Sequence, residues 1–377
     1  MTAAHRAQRN PCEASAAELL AVDRAMAELR RGGLLVVGGA ADAVVTQAAE
    51  AVTAGSLTAL VRFGQGNLCL ALTGRRAAAL NVATDTSPTV VLPLKATADL
   101  ATVRSLADPT QTAVRDVSAG LTAVEAPKGA SADTAIKLLK LARLLPAALI
   151  APLAADPERW ARKREMLYVA AEAAEAYRPA VAAMLRPVAE ARLPLDGAPD
   201  SRIVAFRSDY GDADQYAVVI GRLAGDRPVL CRVHSACFTG DVLGSLRCDC
   251  GPQLRAAIRA MAKEGTGVLL YLAQEGRGVG LINKLRAYRL QDRGMDTVEA
   301  NERLGFEADE RDYVAAATML RHLGVARVRL MTDNPEKLDT LARQGIEVVE
   351  RVLVEVPPGT HRRCWMGNGP AQPAPAD

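Results

Sequence analysis

The chain has 377 residues, of which 50% are hydrophobic and 24% are charged, and this length favours two hydrophobic cores over one. A formal net charge of +3 and only 3% aromatic residues exclude the basic surface and the stacking platforms that binding to polymeric nucleic acid requires. No apolar run approaches the roughly 18 to 20 residues that span a bilayer, and none follows Arg6 and Arg9, so we expect a cytoplasmic protein without a secretory signal or membrane contact.

The first half of the chain predicts a domain of mixed helices and strands. Apolar residues recur at helical spacing over 16–31, a short buried strand is predicted at 34–37, and apolar runs follow at 57–61, 68–72 and 90–94. Helix-like stretches lie at 132–145 and 159–184. Three prolines and a glycine then indicate a linker at 187–200, which bounds a first domain at 16–186.

The second half alternates between strands and helices, which predicts an α+β fold of layered sheet and helices for the two-domain chain. Strands predicted at 216–221 and 228–233 are expected to pair, a helix is predicted at 253–263, and a strand at 267–271 precedes a glycine-rich loop. A strand at 325–331, a helix at 335–344 and a strand at 346–351 complete a second domain at 201–360. Residues 1–15 and 361–377 are expected to be disordered.

Three of the seven cysteines, Cys237, Cys248 and Cys250, lie within fourteen residues. In a reducing compartment such a cluster indicates metal binding or catalysis, and a bridge across the single residue between Cys248 and Cys250 is strained. Three thiolates can bind Zn²⁺ at about 2.3 Å and leave a position for water, whose pKa the metal lowers to about 7. Two alternatives stay open, a structural zinc with His234 as fourth ligand and plain buried cysteines.

Three other segments have a structural and a phosphate-binding interpretation. Residues 274–280 (QEGRGVG) form either a tight turn with positive φ or a loop whose N–H groups bind phosphate beside an arginine. Residues 308–312 (ADERD) either stabilise the first turn of a helix or supply a proton acceptor and a phosphate-directed arginine. Residues 332–337 (TDNPEK) either cap a helix or hold a nucleotide at its N-terminus. Around a zinc ion, these segments predict hydrolysis of a phosphorylated small molecule.

These motifs, in this order, resemble GTP cyclohydrolase II, the first enzyme of riboflavin biosynthesis. The resemblance covers nearly all of the second domain, through 232–251, 274–280, 283–288, 296–301, 304–306, 308–311 and 332–337. It implies a homodimer that hydrolyses GTP to 2,5-diamino-6-ribosylamino-4(3H)-pyrimidinone 5′-phosphate, formate and pyrophosphate. It further implies a zinc ion in each subunit and Mg²⁺ on the GTP phosphates.

The resemblance also implies roles for individual residues. Arg311 matches a residue proposed to attack the α-phosphate, and electrostatic stabilisation is an equally good role for so basic a group. Asp309 matches the proton acceptor, and Tyr288 matches a tyrosine that orients water or substrate. The implied zinc ligands, whose water attacks the guanine ring, are Cys237, Cys248 and Cys250. The implied GTP contacts are Arg232, Val233, His234, Ser235, Ala236, Gln253, Glu275, Gly276, Arg277, Thr297, Thr332 and Lys337.

Three positions depart from the family pattern, each with the loss of a polar side chain. Ala236 stands where the family often has glutamate, Ala273 where arginine is common, and Met295 where some members have tyrosine. Two alternatives therefore stay open beside the full reaction: a cyclohydrolase that stops at the formylated, ring-opened product, and a zinc-bound GTP sensor without catalysis.

The first domain resembles 3,4-dihydroxy-2-butanone-4-phosphate synthase over 22–37 and 72–76. Active synthases carry an acidic loop after the first strand and a metal-binding histidine further on. Here the loop at 38–42 has one carboxylate, Asp42, and the only histidine before the expected linker is His5. We therefore predict an inactive relic that helps folding, dimerisation or regulation.

Overall fold

The computed structural model describes residues 14–39, 41–83, 87–95, 98–111, 120–223, 227–332 and 334–353. The predicted disordered segment at 361–377, most of the one at 1–15, and His5 lie outside these residues. The chain divides into two compact units, each drawn from two stretches of sequence. Unit 1 comprises Met1–Arg178 and Ile282–Glu310, and unit 2 comprises Pro179–Leu281 and Arg311–Asp377. The predicted α+β class with two domains is confirmed, but residues 282–310, expected in the second domain, belong to unit 1.

The described residues form twelve α-helices and fourteen strands. The helices are α1 (Ala16–Arg30), α2 (Ala54–Phe63), α3 (Gly74–Ala79), α4 (Leu100–Ala107), α5 (Ser131–Leu141), α6 (Pro157–Arg162), α7 (Ala171–Ala183), α8 (Cys250–Glu264), α9 (Leu281–Gln291), α10 (Thr297–Arg303), α11 (Val314–His322) and α12 (Pro335–Arg343). The strands are β1 (Leu35–Gly38), β2 (Ala43–Ala48), β3 (Cys69–Thr73), β4 (Thr89–Pro93), β5 (Val124–Glu125), β6 (Ala147–Pro152), β7 (Tyr168–Ala170), β8 (Arg186–Arg192), β9 (Ser201–Arg207), β10 (Gln215–Gly221), β11 (Val229–Ser235), β12 (Thr266–Leu272), β13 (Arg327–Met331) and β14 (Glu347–Val352). No helix of this part of the chain is both long and apolar enough to cross a membrane.

Unit 1 contains a seven-stranded sheet in the order β5-β4-β3-β6-β2-β1-β7. All neighbouring strands are antiparallel except β1 and β7, which are parallel. Helix α1 begins at Ala16, after the N-cap Ser15, whose side chain forms a capping box with Glu18, and this accounts for the predicted start of the helix. The stretch 159–184, expected to be helical throughout, is interrupted by β7. Its alanine-rich composition favours a helix, but the pairing of Tyr168 with Val36 places it in the sheet.

The second stretch of unit 1, with α9 and α10, is held by residues far away in sequence. Asn283 is fully buried and donates to the Arg143 carbonyl at 3.0 Å. The Arg286 guanidinium lies 3.3 Å from a Glu50 carboxylate oxygen. Further along, Lys140 Nζ contacts Glu310 Oε1 at 2.6 Å, with both side chains mostly buried. These contacts make 282–310 an integral part of unit 1.

Unit 2 contains a seven-stranded sheet in the order β14-β13-β11-β12-β10-β9-β8. Strand β11 lies between β12 and β13 and runs parallel to both, whereas β12, β10, β9 and β8 are successively antiparallel. The predicted pairing of 216–221 with 228–233 is wrong, since β12 lies between β10 and β11. A crossover through α8 returns the chain parallel to β11, and β12 then fills that position.

The expected linker at 187–200 contains most of β8, which pairs with β9 along its length. Its proline is tolerated because β8 is the edge strand of the sheet, and the register shifts between Pro187 and Ala189. Further along, Leu195 and Ala198 form an isolated bridge. The segment predicted to be a linker is therefore mostly the edge strand of the unit 2 sheet.

Candidate functional site

The carboxyl ends of three parallel strands meet at one edge of the unit 2 sheet, where ligands commonly bind in α/β folds. Strand β11 leads into Ala236 and Cys237, β12 leads into the glycine-rich loop, and β13 leads into Thr332. Three of the motifs predicted from the sequence therefore share this edge.

The thiols of Cys237, Cys248 and Cys250 lie within 4.8 Å of one another. The Cys237 and Cys248 sulfurs are 3.5 Å apart, and the Gly240 N–H donates to Cys237 Sγ at 3.2 Å. A single π-helical turn, Phe238–Val242, follows Cys237, and Cys250 is the first residue of α8. The turn and the start of α8 thus bring the thiols of Cys248 and Cys250, which follow Cys237 by eleven or more positions in the sequence, close to the Cys237 thiol.

Hydrogen bonds among the three sulfurs raise the pKa of two of the thiols. Hydrogen bonding to Cys237, then to Cys248, raises the pKa of the Cys250 thiol well above its usual range. Hydrogen bonding to Cys237 also raises the pKa of Cys248. By contrast, burial raises the pKa of the isolated Cys231 to about 12, which leaves it an unreactive thiol. Among the described residues no fourth donor joins the three thiols, which fits the open coordination typical of catalytic zinc.

Gly240 is required by the space around the thiols. A Cβ at this position would lie 2.6 Å from Cys248 Sγ, 3.1 Å from Cys237 Sγ and 3.1 Å from Cys250 Cβ. The backbone therefore approaches the sulfurs closely enough to form one wall of the site, and only glycine fits there.

His234 does not join the thiols. Its Nε2 lies 3.1 Å from Asp241 Oδ2, and its ring stacks on Tyr271 with the centroids 5.6 Å apart. Within the described residues, the group of possible ligand atoms around the cysteines consists of the three sulfurs alone. The structure therefore gives no support to His234 as a fourth ligand.

Asp241 organises this part of the site, and the sequence did not single it out. Its buried Oδ2 accepts from the Cys237 N–H at 2.9 Å and from the Tyr271 hydroxyl at 2.9 Å, in addition to its contact with His234. Burial and then the Asp241 charge raise the pKa of Tyr271 above its ordinary value, which keeps the hydroxyl a donor. No sequence signal pointed to Tyr271, because only the β11–β12 register places it opposite His234.

Arg232 and Gln253, both predicted substrate contacts, lie together. Arg232 is 6% exposed and donates from Nη2 to Gln253 Oε1 at 2.7 Å. The Gln253 amide in turn donates to Asp249 Oδ2 at 2.6 Å. Asp249 stands between Cys248 and Cys250 in the sequence. The hydrogen bonds therefore connect the buried guanidinium of Arg232, through Gln253, to the segment that carries these two thiols.

The glycine-rich loop is a tight turn, as one of its two interpretations required. Gly276, Gly278 and Gly280 all have positive φ. Arg277 also lies in the left-handed region, with φ +61°, a conformation that costs a residue with a Cβ about 1 kcal/mol or more. The carboxylate of Glu275 accepts from the Phe238 N–H at 2.6 Å, which connects the loop to the turn after Cys237.

The segment after β13 is a helix start, as predicted. Asn334 caps α12 by accepting from the Glu336 N–H at 2.9 Å, and Thr332 Oγ1 accepts from the Asn334 N–H at 3.0 Å. Lys337 is 7% exposed, and its Nζ donates to the Val233 carbonyl at 2.9 Å. At the end of β11, Ser235 Oγ is buried and has no hydrogen-bond partner among the described residues. A buried hydroxyl in this state is a candidate ligand contact.

Three predicted site residues, Tyr288, Thr297 and Asp309, belong to unit 1. Tyr288 is 9% exposed on α9, with Lys284 Nζ 5.8 Å from its ring centroid. Thr297 is the first residue of α10, and its Oγ1 accepts from Gln291 Nε2 at 3.2 Å. Asp309 is half-buried beyond the end of α10. Arg311, by contrast, belongs to unit 2.

The chain is similar in sequence to known proteins. The sequence model of the family described as GTP cyclohydrolase II matches residues 186–353. A GTP cyclohydrolase-2 from Azospirillum brasilense is 48% identical over 354 residues, which is 93% of this chain and 92% of the relative. A riboflavin biosynthesis protein RibBA from Salinispora arenicola is 38% identical, over 89% of each chain.

Solved structures resemble the chain only loosely. The crystal structure of RibBX, a two-domain 3,4-dihydroxy-2-butanone 4-phosphate synthase from A. baumannii, covers 89% of this chain and 99% of its own, at 15% identity and a TM-score of 0.35. A superposition this loose does not establish a shared fold. The sequence relatives are decisive, because 48% identity runs through nearly the whole length of both proteins. The chain therefore belongs to the GTP cyclohydrolase II family and is an enzyme.

Proposed function

We propose that this enzyme is a zinc-dependent GTP cyclohydrolase II of riboflavin biosynthesis. It converts GTP to 2,5-diamino-6-ribosylamino-4(3H)-pyrimidinone 5′-phosphate, formate and pyrophosphate. The observation that carries the proposal is the group of three thiols within 4.8 Å, at a sheet edge that also carries Arg232 and Lys337. The relatives named GTP cyclohydrolase-2 and RibBA give the substrate and the pathway.

Cys237, Cys248 and Cys250 would hold the zinc ion. A zinc ion bound there would act as a Lewis acid and make a water molecule nucleophilic near neutral pH. Asp241 fixes Cys237 through its N–H, Gly240 leaves room for the sulfurs, and both features support a metal site over plain buried cysteines.

The chain's own polar groups bind and orient GTP in this proposal. Ser235 offers a buried hydroxyl, and the fixed pair of Arg232 and Gln253 offers a cation with a defined direction. Arg277, on its strained turn, and Lys337, at the start of α12, offer positive charge to the triphosphate, together with Mg²⁺ on the phosphates. The remaining proposed contacts are Val233, His234, Ala236, Glu275, Gly276, Thr297 and Thr332.

Arg311, Asp309 and Tyr288 carry the family's catalytic roles in the proposal. A guanidinium does not lose its proton in a protein, so Arg311 stabilises negative charge that develops on the α-phosphate, and direct attack is the less favoured role. Asp309 accepts a proton, and Tyr288 orients water or substrate. We further propose that the enzyme works as a cytoplasmic homodimer, in keeping with the family.

The test is to incubate purified, zinc-loaded protein with GTP and Mg²⁺ and to measure formate, pyrophosphate and the pyrimidine together. We expect all three products, and their loss on chelation or in Cys248→Ser. Pyrophosphate and a formylated pyrimidine without formate would establish the shorter reaction, in line with the small side chains of Ala236 and Ala273. GTP binding without any product would establish a sensor and refute the enzymatic proposal.

We propose that the first stretch of unit 1 has no synthase activity of its own. Asp42, its one loop carboxylate, accepts from the Ser131 N–H at 2.9 Å. This caps α5, whose own N-cap, Ala130, has no capping side chain. Asp42 therefore has a structural role, and one carboxylate alone is a poor site for a divalent metal. Formation of dihydroxybutanone phosphate from ribulose 5-phosphate by the purified protein would contradict this proposal.

A further inference from the structure

Tyr313 is a buried aromatic residue of unit 2 to which the proposed function assigns no role. It is 1% exposed and stands immediately before α11. Two cations lie near its ring: Arg311 Cζ is 5.8 Å from the ring centroid and Lys337 Nζ is 5.3 Å from it. Both belong to the cations that the proposed function directs at the phosphates of GTP, the third being Arg277.

Placing two cations around one buried ring is unfavourable, because like charges repel each other and each cation loses part of its hydration. The face of an aromatic ring carries partial negative charge, and a cation within about 6 Å of the centroid is attracted to it. The ring of Tyr313 meets this distance for both cations. It can therefore hold the pair without introducing a carboxylate, which would neutralise the charge needed by an anionic ligand.

The backbone beside Tyr313 is fixed to the glycine-rich loop. Gln274, at the start of that loop, is half-buried and donates from Nε2 to the Asp312 carbonyl at 2.5 Å. The Asp312 carboxylate accepts from the N–H of Val314, the first residue of α11, at 2.7 Å. On the other side, Lys337 is anchored by the Val233 carbonyl on β11. The ring and the Lys337 amine are thus positioned by separate elements of the same unit.

We propose that Tyr313 is a positioning residue that holds Arg311 and Lys337 as a cation pair for the polyphosphate part of the substrate. This inference rests on the proposed function for the identity of the substrate. The chemistry that the pair recognises is a chain of phosphates, and the nucleoside is recognised elsewhere.

The test compares three variants of the full-length, zinc-loaded protein. Tyr313→Phe keeps the aromatic face, whereas Tyr313→Leu and Tyr313→Met remove it and keep an apolar side chain. Calorimetry measures the Kd of inorganic triphosphate and, separately, of guanosine, so that no turnover is needed. Melting temperature and zinc content are recorded for each variant. If Tyr313→Leu does not fold, the binding measurements on Tyr313→Met take its place.

We expect the Leu and Met variants to weaken triphosphate binding about tenfold, with guanosine binding unchanged and the Phe variant within about twofold of the parent. A purely structural role would weaken both ligands together, and that result overturns the proposal. Unchanged triphosphate binding in the Leu and Met variants also overturns it, as does a Phe variant that behaves like Leu. A parent protein without GTP turnover would refute the proposed function instead, and the product assay detects this independently of the binding data.

Discussion

Gly240→Ala is the most direct perturbation of the thiol site, because it adds one methyl group and changes no charge. The new Cβ would lie 2.6 Å from Cys248 Sγ, whereas real Cβ contacts essentially never fall below 3.0 Å. The sulfur or the backbone must therefore move by at least the difference, 0.4 Å. Metal–ligand distances tolerate only about 0.2 Å, so a thiol that moves this far no longer fits the geometry set by the other two.

The expected effect is a loss of zinc affinity, because one of the three thiolate ligands binds the metal less well. Outer-shell changes reduce metal affinity by about tenfold to a hundredfold, and a displaced ligand should reach at least the upper end of that range, or about 2.7 kcal/mol. Competition of the protein with a chromogenic zinc chelator measures this, with bound zinc quantified by mass spectrometry. Formate release from GTP should fall in parallel.

Gly244→Ala is the matched control, since it makes the same chemical change in the same loop. A Cβ at Gly244 meets nothing within 4 Å, although φ is +66° there, so the cost is one of backbone conformation alone. We expect this variant to lose about 1 kcal/mol of stability and to keep the zinc affinity of the parent. Equal zinc affinity in the two alanine variants would refute the steric argument.

Three further changes test other parts of the structure. Asp241→Ala removes the acceptor of the Cys237 N–H and should lower zinc affinity about tenfold to a hundredfold in the same chelator competition. An unchanged Kd for zinc would count against a positioning role for Asp241. Arg277→Gly relieves the left-handed backbone strain, so the unfolding free energy should stay within about 1 kcal/mol of the parent. The KM for GTP should rise because the guanidinium is lost, and an unchanged KM would show that the loop is a turn without a role in GTP binding. Removal of residues 1–185 strips 282–310 of its buried contacts, so we expect aggregation in size-exclusion chromatography, and a monodisperse, active fragment would contradict this.

The thiol group was within reach of sequence analysis because its geometry is local. One turn after Cys237 and the first residues of α8 suffice to bring the sulfurs together. The position of His234 could not be predicted from the sequence. Its stacking partner, Tyr271, lies on a strand more than thirty residues later, and the β11–β12 register brings the two rings together. Asp241 was overlooked for the same reason, as two of its three donors come from strands.

The division of the chain into units was also beyond the sequence pattern. Residues 282–310 fit the family motif of the second domain, and only contacts such as Arg286 with Glu50, 236 positions apart, assign them to unit 1. Similarly, the prolines near 187–200 are typical of a linker, yet an edge strand accepts proline where its N–H is not needed by a neighbour. Secondary structure was better predicted, with α1, α8, β12 and α12 close to their expected bounds.

The discontinuity of unit 1 has a consequence for synthesis of the protein. Its first stretch leaves the ribosome well before Ile282–Glu310, and at about 5 to 20 residues per second the wait is on the order of ten seconds. During this time the surface that buries Asn283 and pairs with Arg286 has no partner, while much of unit 2 is being made. The nascent first stretch therefore depends on its own sheet, or on a chaperone, to avoid aggregation until the missing helices arrive.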